Sequence, residues 1–363
     1  MILALNCGSS SLKYALFAGE EAVLRGAVDR IGAGGVADHA AAVHAVFDEL
    51  EARGKGTPRA VGHRLVHGGP NHTAPERVDP ALLASLARVV PFAPLHLPAE
   101  LRAVEAVRAR FGDLPQVVCF DTAFHRTLPE VARRYALPAS LFDAGVRRYG
   151  FHGLSYEFVV AALGPKLRAR AVLAHLGSGA SMVAVKDGLA IDTTMGFTPA
   201  GGLVMGTRPG DLDPGLLVYL LEHGGYDAKS LGRLVNHEAG LAALSGTTSD
   251  MQELLARRGT DRRAALAVDV FSYQARKWIG ALAAALGGLD TLVFTGGIGE
   301  HAHAVRLEIC RGLAHLGIIL DEARNVAGEA LISKGGQCDV HVVATDEERM
   351  IARSTRQVLE PRS

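Results

Sequence analysis

The run Asn6-Cys7-Gly8-Ser9-Ser10-Ser11-Leu12-Lys13 places hydroxyls, a glycine and one ammonium between the apolar stretches 2–5 and 12–17. A strand, a tight Gly/Ser turn and a return strand would gather backbone N–H groups at a hairpin tip. Such a tip forms a concavity that suits a phosphate. Lys13 adds a point charge beside it. The turn leads into a strand, which sets it apart from the Walker loop, whose glycine-rich turn opens a helix. An ordinary serine-rich hairpin carries the same local signature.

Other residues of chemical interest lie further along. Asp121 ends the apolar run 116–120, at the strand edge where open α/β sheets bind ligands, and a carboxylate there can take Mg²⁺ or cap the Thr122 turn. Arg64 precedes the glycine pair Gly68-Gly69, and Arg208 lies between Gly206 and Gly210. Glycines free the backbone around a guanidinium, whose planar fork clamps carboxylate or phosphate; an isolated arginine in such a loop equally serves a surface ion pair. His152 follows Tyr149-Gly150-Phe151 and could donate to a transferring phosphoryl oxygen, or be a core histidine satisfied by a carbonyl. The spacing of His63, His67, His96 and His125 matches no zinc site. Gly296-Gly297-Ile298-Gly299 follows a buried strand and leaves room for a flat ligand such as adenine.

The elements that must position these residues repeat. Residues 171–176, the turn Gly177-Ser178-Gly179 and residues 182–185 copy the first hairpin about 170 residues later, and each hairpin continues into a third short strand. This predicts an internal duplication with one phosphate-sized turn per half. Two such lobes are the architecture of actin-like and sugar-kinase-like ATPases, a likeness of fold alone. Helices are expected over 38–53, 80–90, 98–111 and 262–286 and in the tail from 348, with an irregular joint over 126–150 and a glycine-loosened loop over 192–214.

The chain has 363 residues, enough for two domains, with 38 basic and 38 acidic side chains. No basic stripe points to nucleic acid or a membrane surface, and no apolar run reaches the ~18 residues of a spanning helix. Met1 leads straight into a strand without a signal-peptide pattern, and four cysteines without Cys-x-x-Cys spacing read as reduced thiols of a cytoplasmic protein.

Taken together, the runs around Asn6, Gly62-His63-Arg64-Leu65-Val66-His67-Gly68-Gly69, Pro94-Leu95-His96, Phe120-Asp121-Thr122-Ala123-Phe124-His125, Tyr149-Gly150-Phe151-His152-Gly153, His175-Leu176-Gly177-Ser178-Gly179, Met195-Gly196-Phe197-Thr198-Pro199, Met205-Gly206-Thr207-Arg208, Thr295-Gly296-Gly297-Ile298-Gly299-Glu300 and Thr345-Asp346-Glu347-Glu348 resemble the acetokinase family, within the acetate and sugar kinase/Hsc70/actin superfamily. They span the whole chain in family order. The resemblance implies an α/β fold of two duplicated actin-like (ribonuclease H-like) lobes, each a mixed β-sheet flanked by helices, with a nucleotide cleft between them. The expected lobes are 1–148, with helix 349–363 packing back on it, and 149–348, which binds the nucleotide.

The implied reaction is Mg²⁺-dependent, reversible phosphoryl transfer from ATP to acetate, giving acetyl phosphate and ADP; Mn²⁺ could replace Mg²⁺. The resemblance assigns Asn6 and Glu347 to the metal, Asp121 to the active-site carboxylate, Arg64 to the acyl substrate, and Arg208 and His152 to the transition state. Val66, Leu95, Phe151 and Pro199 would line the acyl pocket. Lys13, residues 175–179, Asp250, Met251, Gln252, Gly297, Ile298, Gly299, Glu300 and His301 would contact the nucleotide. A cytoplasmic homodimer is the implied assembly. Ser178, Gln252 and His301 stand where the family commonly has Asn, Arg and Asn, Leu97 replaces a usual Asn, and Cys7 a usual Ala. The alternatives are a propionate or butyrate kinase of the same family, or an actin-like ATPase switch. The two arginines favour a small carboxylate acceptor over a pure nucleotide switch.

Overall fold

The computed structural model describes residues 1–8, 11–32 and 34–360, so Ser9 and Ser10 of the first turn lie outside the described residues. The first sheet contains β1 (Ile2–Cys7), β2 (Ser11–Ala18), β3 (Glu21–Asp29), β4 (Ala60–Leu65), β5 (Glu76–Arg77) and β6 (Gln116–Phe120), in the order β3-β2-β1-β4-β6-β5. β1, β2 and β3 are antiparallel neighbours, with Lys13 opposite Asn6, while β1, β4 and β6 run parallel. The second sheet contains β7 (Arg170–Leu176), β8 (Ala180–Lys186), β9 (Leu189–Thr193), β10 (Thr291–Thr295) and β11 (Asp339–Val342), in the order β11-β10-β7-β8-β9. Here too an antiparallel meander, β7-β8-β9, is extended by parallel strands, β10 and β11. The order β3-β2-β1-β4-β6 recurs as β9-β8-β7-β10-β11: the duplicated α/β, actin-like fold.

Both faces of the first sheet are covered. Leu3, Leu5 and Cys7 of β1 pack with Leu12, Tyr14 and Leu16 against Val43, Val46, Phe47 and Leu50 of the helix His39–Ala52 and Ala103 and Val107 of the helix Leu97–Phe111. Ile2 and Ala4 point to the other face, with Ala15, Phe17, Val117 and Cys119, and meet Leu154 and the helix Glu347–Leu359 through Met350, Ile351 and Ala352. Alternate β1 residues thus bury on opposite faces, which is why the strand reads as an unbroken apolar run.

Two compact units divide the chain. The first comprises Met1–Arg126, Phe151–Phe158 and the segment from Asp346 onward; the second comprises Thr127–Gly150 and Val159–Thr345. The chain therefore changes unit more often than one boundary near residue 148 would require. Arg148 explains part of this: its Nη1 donates to the carbonyls of Thr193, Thr194 and Met195, and Tyr149 N–H donates to Gly196 O, which ties the joint to the end of β9. Gly153 N–H then donates to Asp121 O at 3.0 Å, which holds the next stretch to the first unit. The joint contains two short helices, Glu130–Arg133 and Ala139–Asp143. No described helix is long and apolar enough to cross a membrane.

Candidate active site

In the first unit, the carboxyl ends of the parallel strands β1, β4 and β6 carry Asn6, Arg64 and Asp121 to one sheet edge. Arg64 Nε and Nη2 both donate to Asp121 Oδ2, the former at 3.0 Å, and Nη1 donates to Cys7 O at 3.0 Å. Burial alone would lower the guanidinium's pKa, but Asp121, Glu347 and Glu100 raise it further, so Arg64 is permanently charged. Asp121 is buried. Three of the five donors of Arg64 are engaged among the described residues, which leaves one hydrogen on each Nη for a ligand.

Asn6 and Glu347 also meet. Asn6 Nδ2 donates to Glu347 Oε2 at 2.9 Å and to Glu348 Oε1 at 3.0 Å, joining β1 to the first turn of the C-terminal helix. These groups offer oxygen donors only. That set fits a hard cation such as Mg²⁺, which takes one or two carboxylates and fills its remaining positions with water and phosphate oxygens. Among the described residues no cluster of three or more His, Cys, Asp or Glu is arranged to hold a metal.

His152 adopts the left-handed conformation, φ 60°, at the entry to the helix Gly153–Leu163. A non-glycine residue there is strained and persists only where its surroundings fix it. The fixing contact is the next residue: a Cβ on Gly153 would lie 2.1 Å from Asp121 O, so only glycine lets the helix start this close to the end of β6. His125 Nε2 bonds Phe151 O at 3.0 Å, and burial lowers its pKa to about 4, so it is a neutral structural group. His63 is likewise neutral, bonded to Gln116 Oε1 at 2.8 Å and pushed down to about 4 by burial. Of the expected acyl-pocket residues, Val66 and Phe151 are buried, with the Phe151 ring edge-on to His67. Pro199 is half-buried in the second unit, and Leu95 is 43% exposed, more open than a pocket wall requires.

The second unit holds a cavity of about 650 Å³ lined by Gly177, Ser178, Ser249, Asp250, Met251, Gln252, Leu255, Gly297, Ile298, His301 and Ala302. Its volume is in the range of small-molecule and cofactor sites. The turn after β7, the start of the helix Met251–Arg257 and the helix Gly296–His301 after β10 build it. Gly296, at φ 77°, makes the turn from β10 into that helix against Leu176 O, where a Cβ would come within 2.8 Å. Gly299 and Glu300 do not line the cavity. Gly299 is buried near Phe294, and Glu300 Oε1 accepts from Gly296 N–H and Thr345 N–H, locking the turn. His175 is half-buried on β7, Leu176 is fully buried and Gly179 accepts from Gly177 N–H. Arg208 is half-buried in the second unit and donates to Pro199 O at 2.6 Å. Lys13 is exposed on β2 of the first unit.

The family model of the acetokinase family matches residues 32–353. The chain belongs to that family. It is 45% identical over 393 residues to an acetate kinase from Nitrobacter hamburgensis, covering 100% of this chain and 97% of that protein. An acetate kinase from Deinococcus deserti is also 45% identical, over 391 residues. Among solved structures, the acetate kinase of Porphyromonas gingivalis matches with TM-score 0.90 at 38% identity, covering 99% of both chains. A propionate kinase from Francisella tularensis matches with TM-score 0.92 at 34% identity, covering 98% of this chain and 99% of that one.

Two buried residues near these sites carried no motif. Glu100 is 2% exposed, and its Oε2 accepts from Val66 N–H at 2.8 Å. Arg306 is 1% exposed; its Nη1 donates to Gly299 O and Glu300 O while Nε and Nη2 hold Asn325, so it anchors the end of the glycine-rich helix. In sequence each looks like an ordinary helix-surface charge.

Proposed function

We propose that this protein transfers the γ-phosphoryl group of ATP reversibly to acetate, giving acetyl phosphate and ADP. The observation that carries the reading is the Arg64–Asp121 pair: a partly exposed guanidinium, fixed by a buried carboxylate, that keeps donors for an incoming carboxylate at the ligand-binding edge of a parallel sheet. The acetate kinases among its relatives support the same acceptor.

In this mechanism the acid needs no general base, because a carboxylate is already anionic at neutral pH. Arg64 binds and orients it; Asp121 holds Arg64. One acetate oxygen forms a bond to the γ-phosphorus as the bond to the ADP oxygen breaks, and charge spreads over the equatorial oxygens. Arg208 and His152 stabilise that charge. Asn6 and Glu347 would hold Mg²⁺, or Mn²⁺ in its place; when bound, the ion neutralises phosphate charge. Gly177, Ser178, Asp250, Met251, Gln252, Gly297, Ile298 and His301 contact the nucleotide, whose base and ribose enter the cavity they line; Lys13, His175 and Gly179 belong to the same assignment, while Leu176, Gly299 and Glu300 hold the two turns from behind. By the resemblance Val66, Leu95, Phe151 and Pro199 belong to the acyl pocket; Val66 and Phe151 are the two that are buried.

The structural similarity to a propionate kinase favours propionate as the second acceptor. Hydroxamate trapping of the acyl phosphate with ATP and acetate, propionate or butyrate tests the assignment. Acetate-dependent ADP formation abolished by a chelator is expected; ATP turnover indifferent to any short acid would overturn it. A cytoplasmic homodimer belongs to the same reading. The four cysteines are free and buried, as reduced thiols would be. Leu216, Val218, Tyr219 and Leu221 of the helix Pro214–Glu222 are exposed, an apolar surface that a second copy would cover. Sedimentation analysis separates a dimer from a monomer.

A further inference from the structure

The mechanism leaves one buried acid unused. Glu100 sits in the first turn of the helix Leu97–Phe111, where its Oε2 takes the Val66 N–H and its Oε1 lies 4.0 Å from Arg64 Nη1. Oε1 is buried and has no hydrogen-bond partner among the described residues. One guanidinium is therefore approached by two carboxyl groups, Asp121 and Glu100, from different elements. Accepting one N–H would explain the oxygen on Val66. It does not explain a second oxygen placed beside the arginine.

Charge settles what this arrangement allows. The groups facing Glu100 are Arg64 from β4, Asp121 from the end of β6 and the Cys7 thiol from β1. Burial, and then the Glu100 charge, push the Cys7 thiol up to about 12, so it stays neutral. Burial pushes Glu100 up to about 8 against the pull of Arg64 and the Val66 N–H, and Asp121 adds to the rise. At neutral pH the Arg64–Asp121–Glu100 group then carries no net charge. With both acids ionised it would be negative where an anion has to bind.

We propose that Glu100 is a proton-carrying positioning residue of the acyl site: with its proton it leaves Arg64 able to hold the substrate carboxylate, and without it competes for the same guanidinium and repels the substrate. This rests on the reading of Arg64 as the acyl-carboxylate ligand. Linkage makes the effect reciprocal. Substrate bound at Arg64 strengthens the hold of Glu100 on its proton, so at alkaline pH acetate binding takes up a proton. Acetate itself is fully ionised throughout that range.

The test is the KM for acetate from about pH 6 to about pH 9.5 in the wild type, Glu100→Gln and Arg64→Lys. The wild-type KM should be flat at first and then rise above about pH 8, by up to about tenfold per pH unit, with the effect on KM and not on kcat. Glu100→Gln, which keeps an acceptor for Val66 but cannot ionise, should lose that rise. A wild-type alkaline rise retained in Glu100→Gln overturns the proposal. If Arg64→Lys leaves the acetate KM unchanged, the acyl-site reading itself fails; if it raises KM while Glu100→Gln keeps the rise, only the role of Glu100 falls. Should Glu100→Gln not fold, calorimetric titration of the wild-type protein with acetate near pH 8.5, in two buffers of different ionisation enthalpy, decides. Proton uptake supports the proposal, and its absence refutes it.

Discussion

The Asn6 amide donates to the Glu347 carboxylate at 2.9 Å, so the first strand and the last helix share one polar contact although 341 positions separate them. A second bond reaches Glu348 at 3.0 Å. Two acids drawn to one amide repel each other unless a cation accompanies them. Glu347→Gln keeps an acceptor for Asn6 but removes half of that charge. The Mg²⁺ concentration for half-maximal activity should rise by at least about tenfold, with the melting temperature little changed. A metal titration with an unshifted midpoint would remove Glu347 from the metal site.

Arg64→Ala should lower kcat/KM by about 10³-fold or more, on the scale of arginine groups that serve phosphoryl transfer. Part of the loss should appear as a raised acetate KM, because the fork also binds the ground state. Asp121→Ala should act differently. It leaves the partly exposed Arg64 guanidinium without its carboxylate, a change that costs up to about 3–5 kcal/mol where both ions are buried, so thermal unfolding should move down along with activity. Steady-state kinetics beside calorimetry separate the two cases.

Much of this was readable in the chain. The runs around β1, β6, β7 and β10 announced buried strands, because strands covered on both faces lose their alternation. The repeated hairpin announced the duplication. Glu100 did not announce itself, since an acid in a first helical turn is what the helix dipole favours on any surface; only folding puts Val66 and Arg64 over it. Arg306 was hidden for the same reason, as its partners Gly299 and Asn325 come from other turns of the chain. The two short helices of the joint lack strong periodicity, and Arg148 holds that segment by carbonyl contacts that no local pattern encodes.

Stability should fall on both sides of neutrality, for opposite reasons. His63 and His125 have folded pKa values depressed to about 4, below the ~6.5 of an unfolded histidine. The unfolded chain therefore gains protons first, and stability present above about pH 6.5 is lost as the pH falls towards 4. Glu100 is raised to about 8. The native state keeps a proton that the unfolded chain releases, so stability present at low pH is lost as the pH rises through that value. Glu100→Gln should therefore have a higher urea midpoint than the wild type at pH 8 and approach it near pH 4.5. The reverse order at pH 8 would contradict a buried, proton-bearing Glu100.

Val66 is buried with its N–H fixed by Glu100, so its backbone cannot move back to make room for a longer acid without disturbing that bond. A methylene misfit in an apolar pocket is worth about 1–3 kcal/mol. Acetate should then exceed propionate, and propionate butyrate, in kcat/KM, and Val66→Ala should narrow the gap. Butyrate as the preferred acid of the wild-type enzyme would place the acyl pocket elsewhere.

The cavity of the second unit, proposed above to take the nucleotide, carries three unusual side chains, Ser178, Gln252 and His301, and all three line it. Serine lacks the paired donor and acceptor of an amide, and glutamine offers neither a guanidinium plane for stacking nor a positive charge. Gln252 and His301 are both exposed, so neither is committed to the protein core. Gly297 beside them has no atom within 4 Å of a Cβ position, which leaves room for a purine without selecting one. ATP should therefore be used with weak discrimination against GTP. Gln252→Arg should lower the KM for ATP with little change in kcat, because stacking is shared by ground and transition states. The Gln252 backbone N–H is already capped by Asp250 Oδ1 at 2.7 Å, so the substitution alters the side chain without unseating the helix start. Initial rates with ATP, GTP and pyrophosphate decide the point. Strict ATP selectivity would refute weak discrimination, and preference for pyrophosphate would mean that the cavity does not receive a nucleoside.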